Sequence, residues 1–162
     1  MPRRFNLFAL SAILTLAADQ LSKLWARKEL VFGRGVPFFG GFWDWELSYN
    51  TGSAFGLFQS MDGARIGLSV VGVVACVAIL VFLYRTPDER GWIASAFGLI
   101  FGGALGNVID RILDGKVTDF VLWHAGKHRW PAFNVADAAL VAGVIILFFD
   151  FGKPKKPAPS KK

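Results

Sequence analysis

The chain is 162 residues long, with a single cysteine, two histidines and only 19% charged residues. Each scarcity excludes something. Cys76 has no partner for an intramolecular disulfide. It lies in an apolar run without basic neighbours, so it reads as a small packing residue and not as a thiolate nucleophile. His124 and His128 share one short stretch with no cysteine near them, which is not the ligand spacing of a zinc site. So little charge leaves too little polar surface for a soluble domain of this size. Disorder is excluded for most of the length by the 54% hydrophobic content.

What the sequence has in abundance is long apolar runs, and its mean hydropathy is +0.45. A bilayer-spanning helix needs roughly 20 apolar residues, so four spans would occupy about half of this chain. Four runs stand out, at 5–25, 66–84, 92–109 and about 131–149. The composition predicts an α-helical integral membrane protein with four transmembrane helices in one domain over 1–152. The Lys- and Pro-rich stretch 153–162 reads as a solvated, disordered tail. Arg3 and Arg4 resemble the charged start of a signal peptide, but three more spans follow, and the first run is needed to begin the topology.

The formal net charge is +6. The short pieces 1–4, 85–90 and 153–162 carry half of the 18 Lys and Arg, and the rest is spread over the longer stretches 23–65 and 111–129. That asymmetry predicts cytoplasmic termini and a cytoplasmic 85–90 loop. It also accounts for the basic balance without any nucleic acid partner.

The stretch between the first two spans is patterned. Trp43, Trp45, Leu47 and Tyr49 alternate with Asp44, Glu46, Ser48 and Asn50, the period of a strand with one aromatic face. Gly33, Gly35, Pro37, Gly40 and Gly41 supply turns before it. Aromatic residues favour the membrane–water interface, which predicts a small β-sheet on the outer surface between helices 1 and 2. In the third span Gly98, Gly102 and Gly106 recur every four residues, a stripe that lets helices pack closely.

Polar residues gather at one end of the predicted bundle. Asp19 and Lys23 close the first span, and Asn50 ends the strand. Asn107, Asp110 and Arg111 close the third span, Asp119 follows it, and Asn134 and Asp137 open the fourth. Odd spans end outside and even spans begin there, so all lie near the outer face. Ionisable groups at membrane depth are costly and are usually paired or functional.

Each group also has a structural reading. Asp19 and Lys23 are an i,i+4 pair in the favourable order, a natural ion pair. Arg111 can neutralise neighbouring Asp110 or snorkel to the surface. Asn134 and Asp137 have the spacing of a capping box, and spacing alone makes them a cap. Asp119 has no helix to cap and no basic neighbour in sequence, so it is the strongest candidate for chemistry. Two facing carboxylates share one proton, because like charges at close range raise one pKa. Such a pair can activate water and also donate a proton, as peptide hydrolysis requires.

Five segments in order carry a family resemblance. They are Asp19-Gln20-Leu21-Ser22-Lys23, Asn50-Thr51-Gly52-Ser53-Ala54-Phe55, Gly103-Ala104-Leu105-Gly106-Asn107-Val108-Ile109-Asp110-Arg111, Val117-Thr118-Asp119-Phe120 and Phe133-Asn134-Val135-Ala136-Asp137. With them the chain resembles signal peptidase II, the lipoprotein signal peptidases of bacterial membranes, over all but its tail.

The resemblance implies an aspartic endopeptidase that cuts diacylglyceryl-modified prolipoproteins just before the lipidated cysteine. It implies Asp119 and Asp137 as the catalytic dyad. Asn50, Gly52, Asn107, Asp110, Arg111, Asn134 and Ala136 would shape the substrate site, and Asp19 with Lys23 would form a supporting pair. It further implies an inner-membrane monomer working among membrane lipids, inhibited by globomycin and needing no metal or other cofactor. Helix dipoles favour an ionised acid at a helix start, so Asp137 can be both cap and base, with Asp119 its protonated partner.

Three other classes compete. A rhomboid-like serine protease needs a histidine within a span, and none has one. A proton-coupled transporter spreads its acids through the membrane depth, whereas here they crowd one rim. A non-catalytic assembly factor differs by failing to cut a lipidated prolipoprotein.

Overall fold

The computed structural model describes residues 2–52 and 63–151. The elements run α1 (Arg3–Glu29), β1 (Val36–Phe39), β2 (Trp43–Asn50), α2 (Gly63–Arg85), α3 (Gly91–Leu113), β3 (Val117–Ala125), β4 (His128–Arg129) and α4 (Val135–Phe151). Ser53, Ala54 and Phe55 of the second motif, and the tail 153–162, lie outside the described residues.

α3 is the central helix. It is buried along most of its length, and α1, α2 and α4 pack around it. The glycine stripe explains how. A Cβ on Gly98 would strike Ser11 and the Phe8 carbonyl, one on Gly102 would strike the Ala12 carbonyl, and one on Gly106 would strike the Asp19 carboxylate. Small residues there let α1 lie directly on α3. The expected role of the stripe in helix packing is therefore observed. α2 leaves Ile66, Val70, Val71, Val74 and Val77 on the outside, as a lipid-facing helix does.

α1, α2 and α3 are long and apolar enough to cross a membrane. α4 has 17 residues, about 26 Å of helix, and starts later than the expected 131. Pro131, Ala132 and Phe133 precede the helix, and Asn134 caps it.

The sheet differs from expectation. It has four strands in the order β1-β2-β3-β4, with antiparallel neighbours. Half of it comes from the linker between α3 and α4, so it is not confined to the segment between helices 1 and 2. β3 hides in the sequence because Val117 to Leu122 are all buried, and a strand buried on both faces shows no alternation. The aromatic face of β2 packs on α1 and β3. Trp45 meets Trp25 of α1 edge-on at 5.2 Å, and Leu47 packs with Ala26, Phe120 and Val121. These contacts seat the sheet on the end of α1.

The opposite end of the bundle is basic. The Asp88 carboxylate accepts the backbone N–H of Arg4 at 2.8 Å and of Arg3 at 3.2 Å, capping α1. Arg90 pairs with Asp150 of α4 at 3.0 Å. The start of α1, the α2–α3 loop and the end of α4 therefore share one end, as the charge pattern predicts.

Candidate active site

At the sheet end the polar residues converge. Asn134 precedes α4 and forms a reciprocal capping box with Asp137. Its Oδ1 accepts the Asp137 N–H at 3.0 Å, and its own N–H donates to Asp137 Oδ2 at 3.2 Å. The Nδ2 of the same asparagine donates to Asp119 Oδ1 at 2.7 Å. Asn107 of α3 donates from Nδ2 to Asp137 Oδ1 at 2.9 Å. One asparagine thus holds both carboxylates, and a second fixes one of them from the side. The cap expected from spacing exists, and it is the same residue that reaches Asp119.

The two acids sit in different surroundings. Asp119 is 2% exposed in β3, opposite Ser48 of β2. Burial, and then the nearby Asp137, push its carboxyl up to about 7, against hydrogen bonds from Asn134 and Asn50 and the more distant charge of Lys23. Asp137 is only partly buried, in the first turn of α4, where the helix dipole favours a negative charge. Asn50 ends β2, and its Oδ1 accepts the Gly52 N–H at 2.9 Å. Gly52 has φ of 104°, so the turn beside Asn50 suits glycine.

Behind the two acids lies a buried charge cluster. Lys23 Nζ is 2.8 Å from Asp19, 3.2 Å from Asp110 and 3.0 Å from Asn107 Oδ1. The expected Asp19–Lys23 ion pair is present and has no exposed surface. Asp19 Oδ1 accepts the N–H of Ala136, and Asp110 Oδ2 accepts the N–H of Thr118, both at 3.0 Å. Each supporting acid therefore holds the backbone N–H of the residue immediately before one of the two site aspartates.

Two sequence readings change here. Asp110 does not turn to Arg111, because consecutive helical residues point about 100° apart; it turns to Lys23 across the α1–α3 contact. Arg111 donates to the Asn107 carbonyl at 3.2 Å and lies within Coulombic range of Asp137, Asp119 and Asp110. With Arg65, Ile66, Val70 and Ile112 it lines a cleft of about 350 Å³.

Sequence reasoning gave no role to Gln20, whose Nε2 lies 3.1 Å from Asp19 Oδ2 and 3.2 Å from Asp110 Oδ1. Nor did it single out Arg65, which it counted only as charge. Neither residue carries a spacing signal, since Gln20 reaches Asp110 on another helix and Arg65 comes beside Arg111 only through packing. Among the described residues no group of His, Cys, Asp or Glu is arranged to hold a metal ion.

The fold and site define a helical membrane protein with two hydrogen-bonded carboxylates, differently buried, at one end of its bundle. Residues 11–152 match the family model of signal peptidase (SPase) II. A lipoprotein signal peptidase of Xylella fastidiosa (strain 9a5c) is 41% identical over 157 residues, covering 93% of this chain and 94% of that protein. One from Xanthomonas euvesicatoria pv. vesicatoria (strain 85-10) is 38% identical, covering 94% and 91%. A bacterial membrane enzyme solved by the in meso method at 1.9 Å superposes with a TM-score of 0.83 at 27% identity, covering 91% of this chain and 94% of that one. A second such structure, at 2.3 Å, gives 0.81 at 26% identity, covering 93% of each chain. The chain belongs to the signal peptidase II family, the membrane peptidases that cleave signal peptides from lipidated prolipoproteins.

Proposed function

We propose that this chain cuts diacylglyceryl-modified prolipoproteins before the lipidated cysteine, with Asp119 and Asp137 as its catalytic dyad. The observation that carries the assignment is Asn134, which hydrogen-bonds both carboxylates while their environments differ. The partly buried Asp137 takes a proton from the attacking water. The buried Asp119, pushed up to about 7, holds a proton to give to the developing oxyanion. Because the pair is coupled, the two protonation states belong to the dyad as a unit.

Asp110 is the rival carboxylate. Its oxygens are engaged by Lys23, Gln20 and the Thr118 N–H, and it is 1% exposed, which argues for support. Arg111, Asn50, Gly52 and Asn107 then border the substrate site. The resemblance extends this reading to an inner-membrane monomer inhibited by globomycin, with the basic end cytoplasmic and the dyad on the outer side. The test is cleavage of a lipidated prolipoprotein by purified protein and by its Asp119→Asn, Asp137→Asn and Asp110→Asn variants. Loss of turnover in the first two is expected. An active Asp119→Asn beside a folded but inactive Asp110→Asn would move the dyad to Asp110 and Asp137.

A further inference from the structure

At the basic end, far from the carboxylates, α2 and α4 both pack on α3 but barely on each other. The gap is a cleft of about 400 Å³. Ile79 and Phe97 form its floor, each 9% exposed, and Phe82 and Leu147 form its sides. Arg85 and Arg90 stand at its mouth.

We propose that this cleft binds an anionic phospholipid, with an acyl chain between α2 and α4 and its phosphate at Arg85 and Arg90. The walls run deep enough for the upper half of a chain, whose end lies in the surrounding lipid. Ile79 lies six residues before Arg85, about 9 Å further along α2. The mouth carries surplus positive charge. Asp150 is satisfied by Arg90 at 3.0 Å, through one nitrogen of a guanidinium that keeps other donors free. Arg85 has no acidic partner among the described residues.

Guanidinium groups suit phosphate because their planar donors match its oxygens. Basic pockets between transmembrane helices select anionic head groups for the same reason. A zwitterionic lipid brings its own cation to this mouth and gains less. A signal peptide with a basic amino-terminal segment is repelled by it. The proposal needs the chain to be membrane-embedded, and it does not depend on the dyad assignment.

The test is native mass spectrometry of the full chain in a neutral detergent. Phosphatidylglycerol and phosphatidylcholine of identical acyl chains are titrated separately, with glycerol 3-phosphate as a head group lacking a chain. Phosphatidylglycerol should be retained about fivefold more tightly than phosphatidylcholine, and glycerol 3-phosphate should not be retained. Arg85→Gln should reduce phosphatidylglycerol to the phosphatidylcholine level. Leu147→Trp, which fills the cleft and keeps both arginines, should weaken retention as well. Arg34→Gln makes the same charge change at the opposite end and should leave retention unchanged. Equal retention of the two lipids, full retention by Arg85→Gln, or displacement of the lipid by a synthetic signal peptide with a basic amino-terminal segment would each overturn the proposal.

Discussion

Replacing Asp119 by Asn separates the chemistry of the site from its stability. The Asp119 carboxyl rises from 3.8 to about 7, chiefly through burial and then through Asp137. A carboxyl whose folded pKa is raised holds its proton in the native state while the unfolded chain has lost it. Stability is therefore greatest below about pH 4 and falls as pH rises towards 7. At about 1.4 kcal/mol per pH unit, the loss across that window is about 4 kcal/mol. Asn is neutral at every pH and keeps an Oδ1 to accept from Asn134. Asp119→Asn should thus nearly match the parent at pH 4 and exceed it at pH 8 by up to about 4 kcal/mol, on the order of 10 °C in unfolding midpoint. Turnover of a lipidated prolipoprotein should be lost at both pH values. Thermal unfolding in detergent, followed by tryptophan emission, reads the first result, and a gel-shift cleavage assay reads the second. A variant no more stable than the parent at pH 8, or one that still cuts, would refute the reasoning.

Lys23→Met leaves Asp19 and Asp110 buried without their shared cation, at a cost of about 3–5 kcal/mol, read as a lower yield of folded protein. Adding Asp19→Asn and Asp110→Asn should recover much of that yield, because a fully neutral cluster leaves no unpaired charge; no recovery would contradict the charge argument. Gly102→Val forces α1 from α3 against the Ala12 carbonyl and should cost at least about 1–3 kcal/mol of stability, read as a lower unfolding midpoint, whereas the same change at Gly126, with open space around it, should cost only its backbone strain. An unlipidated precursor should be cut far more slowly than the lipidated one, since each buried methylene contributes about 0.8 kcal/mol to holding the substrate at the membrane; equal rates in a side-by-side time course would count against the substrate reading.

Much of this molecule is legible along the chain. The runs of apolar residues are long because a helix must cross a hydrocarbon core about 30 Å thick, so the positions of α1, α2 and α3 follow from hydropathy. Local spacing also carries the Asn134–Asp137 cap, the Asp19–Lys23 pair and the glycine stripe, because residues three or four apart on a helix meet within one turn. The aromatic face of β2 shows as alternation because its neighbouring positions are more polar.

Only the tertiary structure decided the rest. β3 is buried on both faces, so the strand that carries Asp119 shows no period, and its place beside β2 follows from packing on Trp45 and Leu47. Asp110 has a basic neighbour in sequence, yet it bonds a lysine on another helix, because adjacent helical residues diverge while the glycine-lined α1–α3 contact brings Lys23 to it. Packing also puts Asp19 on the N–H of Ala136, the residue before Asp137, and Asp110 on the N–H of Thr118, the residue before Asp119. Sequence determined which groups reach the sheet end of the bundle. Which of them meet was decided by how closely α1, α3 and α4 pack, since hydrogen bonds of about 3 Å form only where packing brings groups of different elements within reach of one another.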